Sequence, residues 1–240
     1  MKRILTLILS VLLFAGAIEA RTYALVVGIS NYHDPQNDVQ WTTASAKRFA
    51  KMLQLHTKDV SIVTGKHATH DNILGKLQTI CKRAQTDDQI IFFYSGHGLP
   101  GGICPVDGLL SYDEICNALA QSRAKNKFCF IEACHSGSVK ESSPNAKSIQ
   151  RHADRGNVAF FVGCRPEESS IVLGTIGAGA FSQALITGLR GKSDYNGDKA
   201  ITVMELFKYA YNDVLHRLEG KQHPQLICPK SMHDTPIIKW

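Results

Sequence analysis

The sequence lacks the patterns that assign several common kinds of site. Its seven cysteines include no CxxC pair and no Cys/His spacing typical of zinc, so we predict no structural metal site of that kind. No internal repeat or low-complexity tract is visible. Lysine and arginine give a net charge of +6 but are spread along the chain rather than gathered in a stripe. We therefore interpret them as solvated side chains and predict no nucleic-acid partner.

Long apolar runs are also lacking, except at the start of the chain. Lys2 and Arg3 precede an almost wholly apolar run from Ile4 to Ala17, and the small residue Ala20 follows shortly. This order is typical of a secretory signal peptide, and the run is short for a membrane-spanning helix; the alternative is a retained anchor. We predict a signal peptide over residues 1–20, an exported protein (periplasmic or secreted) and no stable membrane association after cleavage.

The cysteines do not select a disulfide framework. Cys129 and Cys164 lie in or beside apolar runs, where buried free thiols are common. The sequence does not decide whether a disulfide forms among the cysteines that show no paired spacing; these are Cys81, Cys104, Cys116 and Cys228.

Residues 21–240 alternate short apolar runs with amphipathic segments, which predicts one α/β domain with a mostly parallel sheet and helices on both faces. The predicted strands are Tyr23–Ser30, Val60–Val63, Gln89–Ser95, Lys127–Glu132 and Asn157–Gly163. The predicted helices are Ala44–Leu55, His70–Ala84 and Ser111–Leu119. The polar segment Ser138–Gly156 is predicted to be a long exposed loop within the domain. Loops of this length are usually functional or mobile.

Reactive side chains follow two of the predicted strands. The third strand leads into Ser95-Gly-His97-Gly98, and the fourth leads into Glu132-Ala-Cys134. In open α/β sheets, sites form at the carboxyl ends of strands, so an imidazole and a thiol meet if these strands are neighbours. Histidine supplies the base that a thiol nucleophile requires. The N–H groups of Gly98 and Cys134 are the natural donors to an oxyanion.

Each of these residues alone has a simpler explanation. His97 alone is a turn histidine, and Cys134 alone is a core thiol; their joint position at two strand ends favours catalysis. His135 is the competing base, but neighbouring side chains in a chain tend to diverge, so we assign it a minor role.

The two motifs resemble the caspase-like cysteine peptidases, close to the metacaspase branch. The resemblance rests on "YSGHG" and "EACHSGS", with "ALVVGISNY" near the start and "GAFSQALITGLRG" and "DYNGDKAITVMEL" near the end. It implies the caspase-haemoglobinase fold, a His97/Cys134 dyad, and a thiol protease that hydrolyses protein or peptide substrates. It also implies autoprocessing, with cleavage in the segment Ser138–Gly156.

The sequence departs from the metacaspase pattern at two places. Ser45 stands where metacaspases usually have an acidic residue at the start of the first helix. The segment after the histidine, "GLPGGICPVDG", offers only Asp107 where metacaspases carry several calcium-binding aspartates. A second resemblance, through "HGLPGG", "EACHSGS" and "PEESS", is to the legumain family, which cleaves after asparagine.

Glu132 is the candidate substrate-binding residue. It precedes Cys134 by two residues and so shares its side of the strand. A carboxylate there favours a basic substrate side chain, as the Asp of the resembling metacaspases does. The alternative is a solvated or ion-paired glutamate, with Arg165 as a partner.

A calcium-loop pattern occurs near the end of the chain. Lys199 occupies the position that requires glycine and would place an ammonium beside the ion. We therefore favour a turn that caps a helix starting near Thr202, and predict no cofactor. The matching residues are Asp194, Asn196, Asp198, Thr202 and Glu205.

The prediction is thus an exported cysteine endopeptidase that cleaves after Arg or Lys. In it Cys134 attacks the carbonyl and His97 protonates the leaving amine. Two alternatives stay open: an asparaginyl peptidase or transpeptidase on the same fold, and a catalytically silent scaffold or binding protein. The intact dyad and its glycines argue against the scaffold.

Overall fold

A computed structural model describes residues 20–134, 153–154 and 156–240. The strands of these residues are, in chain order, Thr22–Gly28 (β1), Val60–Thr64 (β2), Gln89–Ser95 (β3), Gly98–Leu99 (β4), Gly102–Ile103 (β5), Leu110–Ser111 (β6), Asn126–Glu132 (β7), Val158–Val162 (β8), Val172–Leu173 (β9), Ala178–Gly179 (β10), Ala200–Thr202 (β11), Gln225–Ile227 (β12) and Pro236–Lys239 (β13). The helices are Thr42–Leu53 (α1), His70–Arg83 (α2), Tyr112–Ala120 (α3), Ala180–Thr187 (α4) and Val203–Arg217 (α5).

Six of the strands form the central sheet, in the spatial order β12-β8-β7-β3-β1-β2. All neighbours run parallel except β12, which pairs antiparallel with β8 at one edge. The predicted mostly parallel sheet is confirmed. Three short strands, β4, β5 and β6, form a separate antiparallel sheet directly after β3.

Helices cover both faces of the central sheet, also as predicted. The strand residues alternate between two buried layers, as the period of two requires. In β3, Phe92 and Tyr94 pack in the layer that contains the apolar residues of α2 and α3. Ile91 and Phe93 pack in the layer that contains those of α1, α4 and α5. The central strands of the sheet are therefore buried on both faces.

Three of the helices begin at side-chain caps that the sequence carries. Ser111 and Glu114 form a reciprocal capping box at the start of α3, and Thr202 and Glu205 form another at α5. Thr69 accepts a hydrogen bond from Asn72 N at the start of α2. These side chains satisfy N–H groups that the first turn of a helix leaves without partners.

The first helix differs from its predicted bounds. It begins at Thr42 rather than Ala44, directly after Trp41, whose φ of 73° turns the chain through the left-handed region. No short polar residue caps this helix with its side chain. The sequence therefore has no capping residue from which the start of the helix could be predicted. The turn brings Thr42 to the end of β1, where its hydroxyl donates to Ile29 O at 2.6 Å.

Two predicted segments lie largely outside the described residues. These are the signal peptide up to residue 19 and the loop over residues 138–156, of which residues 153, 154 and 156 are described. Among the described helices, none combines the length and apolar character that crossing a bilayer requires.

Gly28 allows β1 to pack closely on α1. A Cβ at this position would overlap Ala46 Cβ and lie 2.9 Å from Thr42 O. Gly28→Ala should therefore lower the free energy of unfolding by about 1–3 kcal/mol, the usual cost of overpacking. Urea unfolding followed by circular dichroism measures this change.

Gly75 gives the matched control. It lies inside α2, and a Cβ there meets nothing within 4 Å. Gly75→Ala should raise the free energy of unfolding by about 0.5–1 kcal/mol because alanine has the higher helix propensity. Equal effects of the two substitutions would contradict the described packing.

Candidate active site

The in-register pairing of β3 and β7 brings His97 and Cys134 to the same edge of the sheet. Ser95 lies opposite Glu132 in this parallel pair. Gly96 N donates to Glu132 O at 3.2 Å, one residue beyond the strand. His97 and Cys134 each follow this pair by two residues, and both line one small cavity of about 70 Å³. The requirement derived from the sequence, that these two strands are neighbours, is therefore met.

The His97 ring is held by a backbone carbonyl. Its Nε2 lies 2.7 Å from Asn37 O, in the segment between β1 and α1. A carbonyl oxygen can only accept, so the neutral ring carries its proton on Nε2 and keeps Nδ1 as the basic atom. The ring also contacts Tyr32, with a centroid distance of 4.8 Å. The contacts fix the tautomer as well as the position of the ring.

Two tyrosine hydroxyls hold the backbone of His97. His97 N donates to the Tyr32 hydroxyl at 2.8 Å. The Tyr94 hydroxyl lies 2.8 Å from His97 O and 2.9 Å from Cys104 O. Gly96 is required beside them because a Cβ there would lie 2.9 Å from the Tyr32 hydroxyl and closer still to that of Tyr94. The backbone of the histidine is thus fixed at both its N–H and its C=O.

Gly98 presents its N–H away from the β4–β5 hairpin. Cys104 N donates to His97 O at 3.0 Å, a bond that extends the antiparallel ladder by one residue on the His97 side of Gly98. The adjacent pair, Gly98 with Ile103, is then of the non-hydrogen-bonded kind, whose N–H groups point outward. A Cβ on Gly98 would lie 2.6 Å from Cys134 O. Glycine therefore allows the two site segments to touch.

Glu132 lies in the interior beneath these residues. It is 4% exposed, and its carboxylate accepts hydrogen bonds from Ser182 N at 3.0 Å, from the Ser182 hydroxyl, and from the Ser95 hydroxyl at 3.2 Å. Burial raises the pKa of Glu132, and the hydrogen bonds from Ser182 and Ser95 oppose that rise. The solvated alternative is therefore wrong. Arg165 lies instead 4.0 Å from the carboxylate of Glu168.

The Glu132 carboxylate also fixes the start of α4. Ser182 is the third residue of this helix, where a negative charge is favourable to the helix dipole. The residue before the helix, Gly179, must be glycine because a Cβ there would overlap the carboxylate. Gly179 N donates to the Ser45 hydroxyl at 3.1 Å. Ser45 thus lies buried at the same helix start.

The small cavity is the space in which these groups meet. Its lining brings together the side chains of His97, Cys134 and Glu132 with residues from three other segments. Those residues include Val39, Thr42, Ser170 and Val172. The ionisable groups that line this cavity are an imidazole, a thiol and an enclosed carboxylate.

The remaining sequence-predicted residues lie elsewhere. Asp107 accepts from His70 N at 2.7 Å and so caps α2. In the candidate calcium loop, Asp194 accepts from Gly197 N and Lys199 N. His135 lies outside the described residues. No disulfide links the seven cysteines, all of which lie in the described part of the chain.

Four residues of the site were not found from the sequence: Tyr32, Asn37, Tyr94 and Ser182. Tyr94 carried a weak signal, since a tyrosine in an apolar strand requires a partner for its hydroxyl. The serine carried none, because its role depends on α4 reaching β7, 50 residues away in the chain. Asn37 contributes a backbone carbonyl, which no residue type specifies.

Comparison with known proteins gives consistent matches. A caspase domain family model matches residues 21–234. Metacaspase-3 of Trypanosoma brucei brucei is 27% identical over 207 residues, which cover 68% of this chain and 56% of that protein. Metacaspase-2 of the same organism has the same identity, with 57% of its length covered. The chain therefore spans little more than half the length of these relatives.

Solved structures also match. A crystal structure of a Geobacter sulfurreducens protein aligns with a TM-score of 0.66, covering 91% of this chain and 98% of that one. The sequence identity is 18%, so the likeness concerns the fold alone.

The burial of Glu132 predicts a pH-dependent stability. Its pKa in the folded protein is raised above the ordinary 4.5, which applies to the unfolded chain. Between these two values the folded state holds a proton that the unfolded state has lost, so stability falls as pH rises through the window. Glu132→Gln has no such proton. The free energy of unfolding of the wild type minus that of Glu132→Gln should therefore decrease from pH 4 upward and then level off.

Urea unfolding at a series of pH values measures this difference. The control is Glu219→Gln, at a side chain that is 84% exposed and that folding leaves in water. A difference for Glu132→Gln that stays constant or grows with pH contradicts the burial of an ionisable carboxyl.

Proposed function

The chain belongs to the caspase domain family, and on this premise we propose that it is a cysteine endopeptidase that acts through His97 and Cys134. The family resemblance and the caspase-haemoglobinase fold predicted from the sequence are confirmed. The single observation that carries the proposal is the joint position of an imidazole and a thiol beyond two neighbouring, in-register strands. Protein or peptide substrates follow from the family.

The proposed reaction begins with proton transfer from the Cys134 thiol to His97 Nδ1. The thiolate sulfur attacks the carbonyl carbon of the scissile bond, and the C–N bond then breaks as His97 returns the proton to the leaving amine. A water molecule, deprotonated by His97, hydrolyses the resulting thioester and releases the acid and the thiol. The Asn37 carbonyl supports this cycle because it keeps Nε2 protonated and Nδ1 basic.

The oxyanion of the tetrahedral intermediate requires donors near Cys134. We assign this role to the N–H groups of Gly98 and Cys134. Two features support the assignment: the outward direction of Gly98 N–H in its ladder and the contact of Gly98 with Cys134 O. Donors fixed in the backbone need no rearrangement as the charge develops.

Cleavage after Arg or Lys is proposed from Glu132. Glu132 lines the cavity that contains His97 and Cys134, and the hydrogen bonds that its carboxylate accepts from Ser95 and Ser182 come from uncharged donors. Among the described residues no cationic side chain pairs with Glu132, so an incoming guanidinium would supply a counter-charge and would favour the ionised form of the carboxyl.

The asparaginyl alternative is favoured by one specific observation. Burial raises the pKa of Glu132, and a neutral carboxyl can donate to and accept from a carboxamide. A neutral Glu132 thus suits asparagine, while an ionised Glu132 suits arginine. The silent scaffold has no comparable support, because His97, Cys134 and the glycines beside them are all present.

Export and autoprocessing complete the proposal. Export is supported by the basic, apolar and small-residue order of residues 1–20. Processing is supported by basic residues of the type that the proposed pocket accepts, which occur between Ser138 and Gly156; these are Lys140, Lys147, Arg151 and Arg155.

Removal of the proposed nucleophile or base tests the mechanism. Cys134→Ala should abolish peptide hydrolysis. His97→Ala should lower kcat/KM by roughly 10²–10⁴, the usual contribution of general acid–base catalysis. His135→Ala is the matched control and should lose far less. Turnover per folded enzyme on one cleaved peptide decides; wild-type turnover in Cys134→Ala, or equal losses in both histidine variants, refutes the dyad.

Substitution of Glu132 tests the specificity. A charge-assisted pair with an enclosed arginine is worth about 1.5–3 kcal/mol, or roughly a factor of 10 to 100. Glu132→Gln should weaken cleavage after Arg and Lys by that factor while Cys134 still reacts with a small alkylating agent. Kinetics on peptides that differ only in the residue before the cleaved bond measure it. An unchanged Arg preference in Glu132→Gln rejects the pocket role, and an Asn preference in the wild type favours the alternative.

A further inference from the structure

A second cavity lies on the other side of His97. Its volume is about 300 Å³, at the lower end of the roughly 300–1,000 Å³ typical of small-ligand pockets. The two cavities share His97 as a wall. The walls of the larger one come from the segment after β1 and from the β4–β5 hairpin, and they include Tyr32, Asn37, Leu99, Cys104 and Pro105.

The walls of the second cavity are held by contacts already in place. The Tyr32 hydroxyl lies 2.8 Å from His97 N and 3.3 Å from Cys104 O. The hairpin is closed by the bond from Cys104 N to His97 O. The cavity is therefore formed without a ligand, and its position relative to the imidazole is fixed.

The described lining of the second cavity offers a charged ligand no permanently charged partner. Among the described residues that line it, none is Asp, Glu, Lys or Arg. Leu99 presents an apolar side chain that is 52% exposed. Burial raises the pKa of the Cys104 thiol to about 11, so the thiol is neutral at physiological pH. A charged side chain placed here would lose water without gaining a partner, whereas an apolar one would gain.

The proposed reaction indicates on which side of the scissile bond the second cavity lies. His97 returns a proton to the leaving amine, so it stands on the amine side of the scissile bond. Cys134 and Glu132, which bind the acyl side, line the smaller cavity. The space beyond His97 is thus where the chain continues after the scissile bond.

We propose that the second cavity binds a large apolar side chain of the substrate residue immediately after the cleaved bond. This inference rests on the proposed function and deepens it. The enzyme would then select peptides that have a polar side chain before the cleaved bond and an apolar side chain after it.

The test is a peptide series that differs only in the residue after the cleaved bond. Wild-type kcat/KM should favour Leu and Phe over Asp, Lys and Gly by about tenfold or more, the usual effect of filling or emptying an apolar pocket. Leu99→Asp should reduce the advantage of Leu and Phe by a similar factor, and should favour Lys over Asp. The matched control is Leu55→Asp, at a leucine that is 69% exposed and lies after α1; it should keep the wild-type profile.

A separate reagent distinguishes failure of the inference from failure of the proposed function. A peptidyl chloromethyl ketone alkylates Cys134 using residues on the acyl side only. Suppose that the reagent labels the wild type and that the wild type cleaves the whole series with no preference for the residue after the bond. This result overturns the inference and is consistent with the proposed function. An unchanged profile in Leu99→Asp also overturns the inference. Absence of both labelling and cleavage overturns the proposed function and the inference together.

Discussion

The parallel, in-register pairing of β3 with β7 is the constraint on which the site depends. Both strands are buried on both faces, so a slip of one residue would send every side chain of one strand to the wrong layer. The ladder continues past the strands through the bond from Gly96 N to Glu132 O. Because the register extends this far, His97 and Cys134 emerge at equal heights, and the positions of the histidine loop and the thiol are set together.

Glu132 couples that register to the packing of α4. Removing a carboxylate from water is costly unless it is hydrogen-bonded, and here Ser95, Ser182 and the start of a helix supply the bonds. The rise in its pKa indicates that these bonds offset the cost only in part. A buried carboxyl of this kind contributes little to stability, and no cationic side chain among the described residues pairs with it. The carboxylate thus serves the packing of α4 through Ser182, while recognition of a basic substrate side chain by Glu132 belongs to the proposed function.

The sequence predicted the features that depend on local patterns, and missed those that depend on contacts between distant segments. The apolar runs ending at Ser95 and Glu132 identified both strand ends, and the period of two placed Glu132 on the side of Cys134. The start of α1 was misplaced because the turn at Trp41 has no capping side chain. The Tyr32–His97 contact joins residues 65 positions apart. No local sequence pattern predicts a contact between residues so far apart. Asn37 contacts His97 through its backbone carbonyl, which every residue type has, so the sequence does not indicate this contact either.

The use of a carbonyl rather than a carboxylate to orient His97 is consistent with the proposed thiol nucleophile. A carboxylate would fix the ring and also stabilise the imidazolium strongly, as serine enzymes require because a hydroxyl gives up its proton reluctantly. A thiol is far more acidic and is partly ionised near neutral pH, so it requires orientation of the base more than added basicity. The Asn37 carbonyl supplies orientation through one bond of 2.7 Å and adds no charge. Apart from the proton that His97 would carry during the proposed reaction, the described lining of the second cavity therefore holds no charged group.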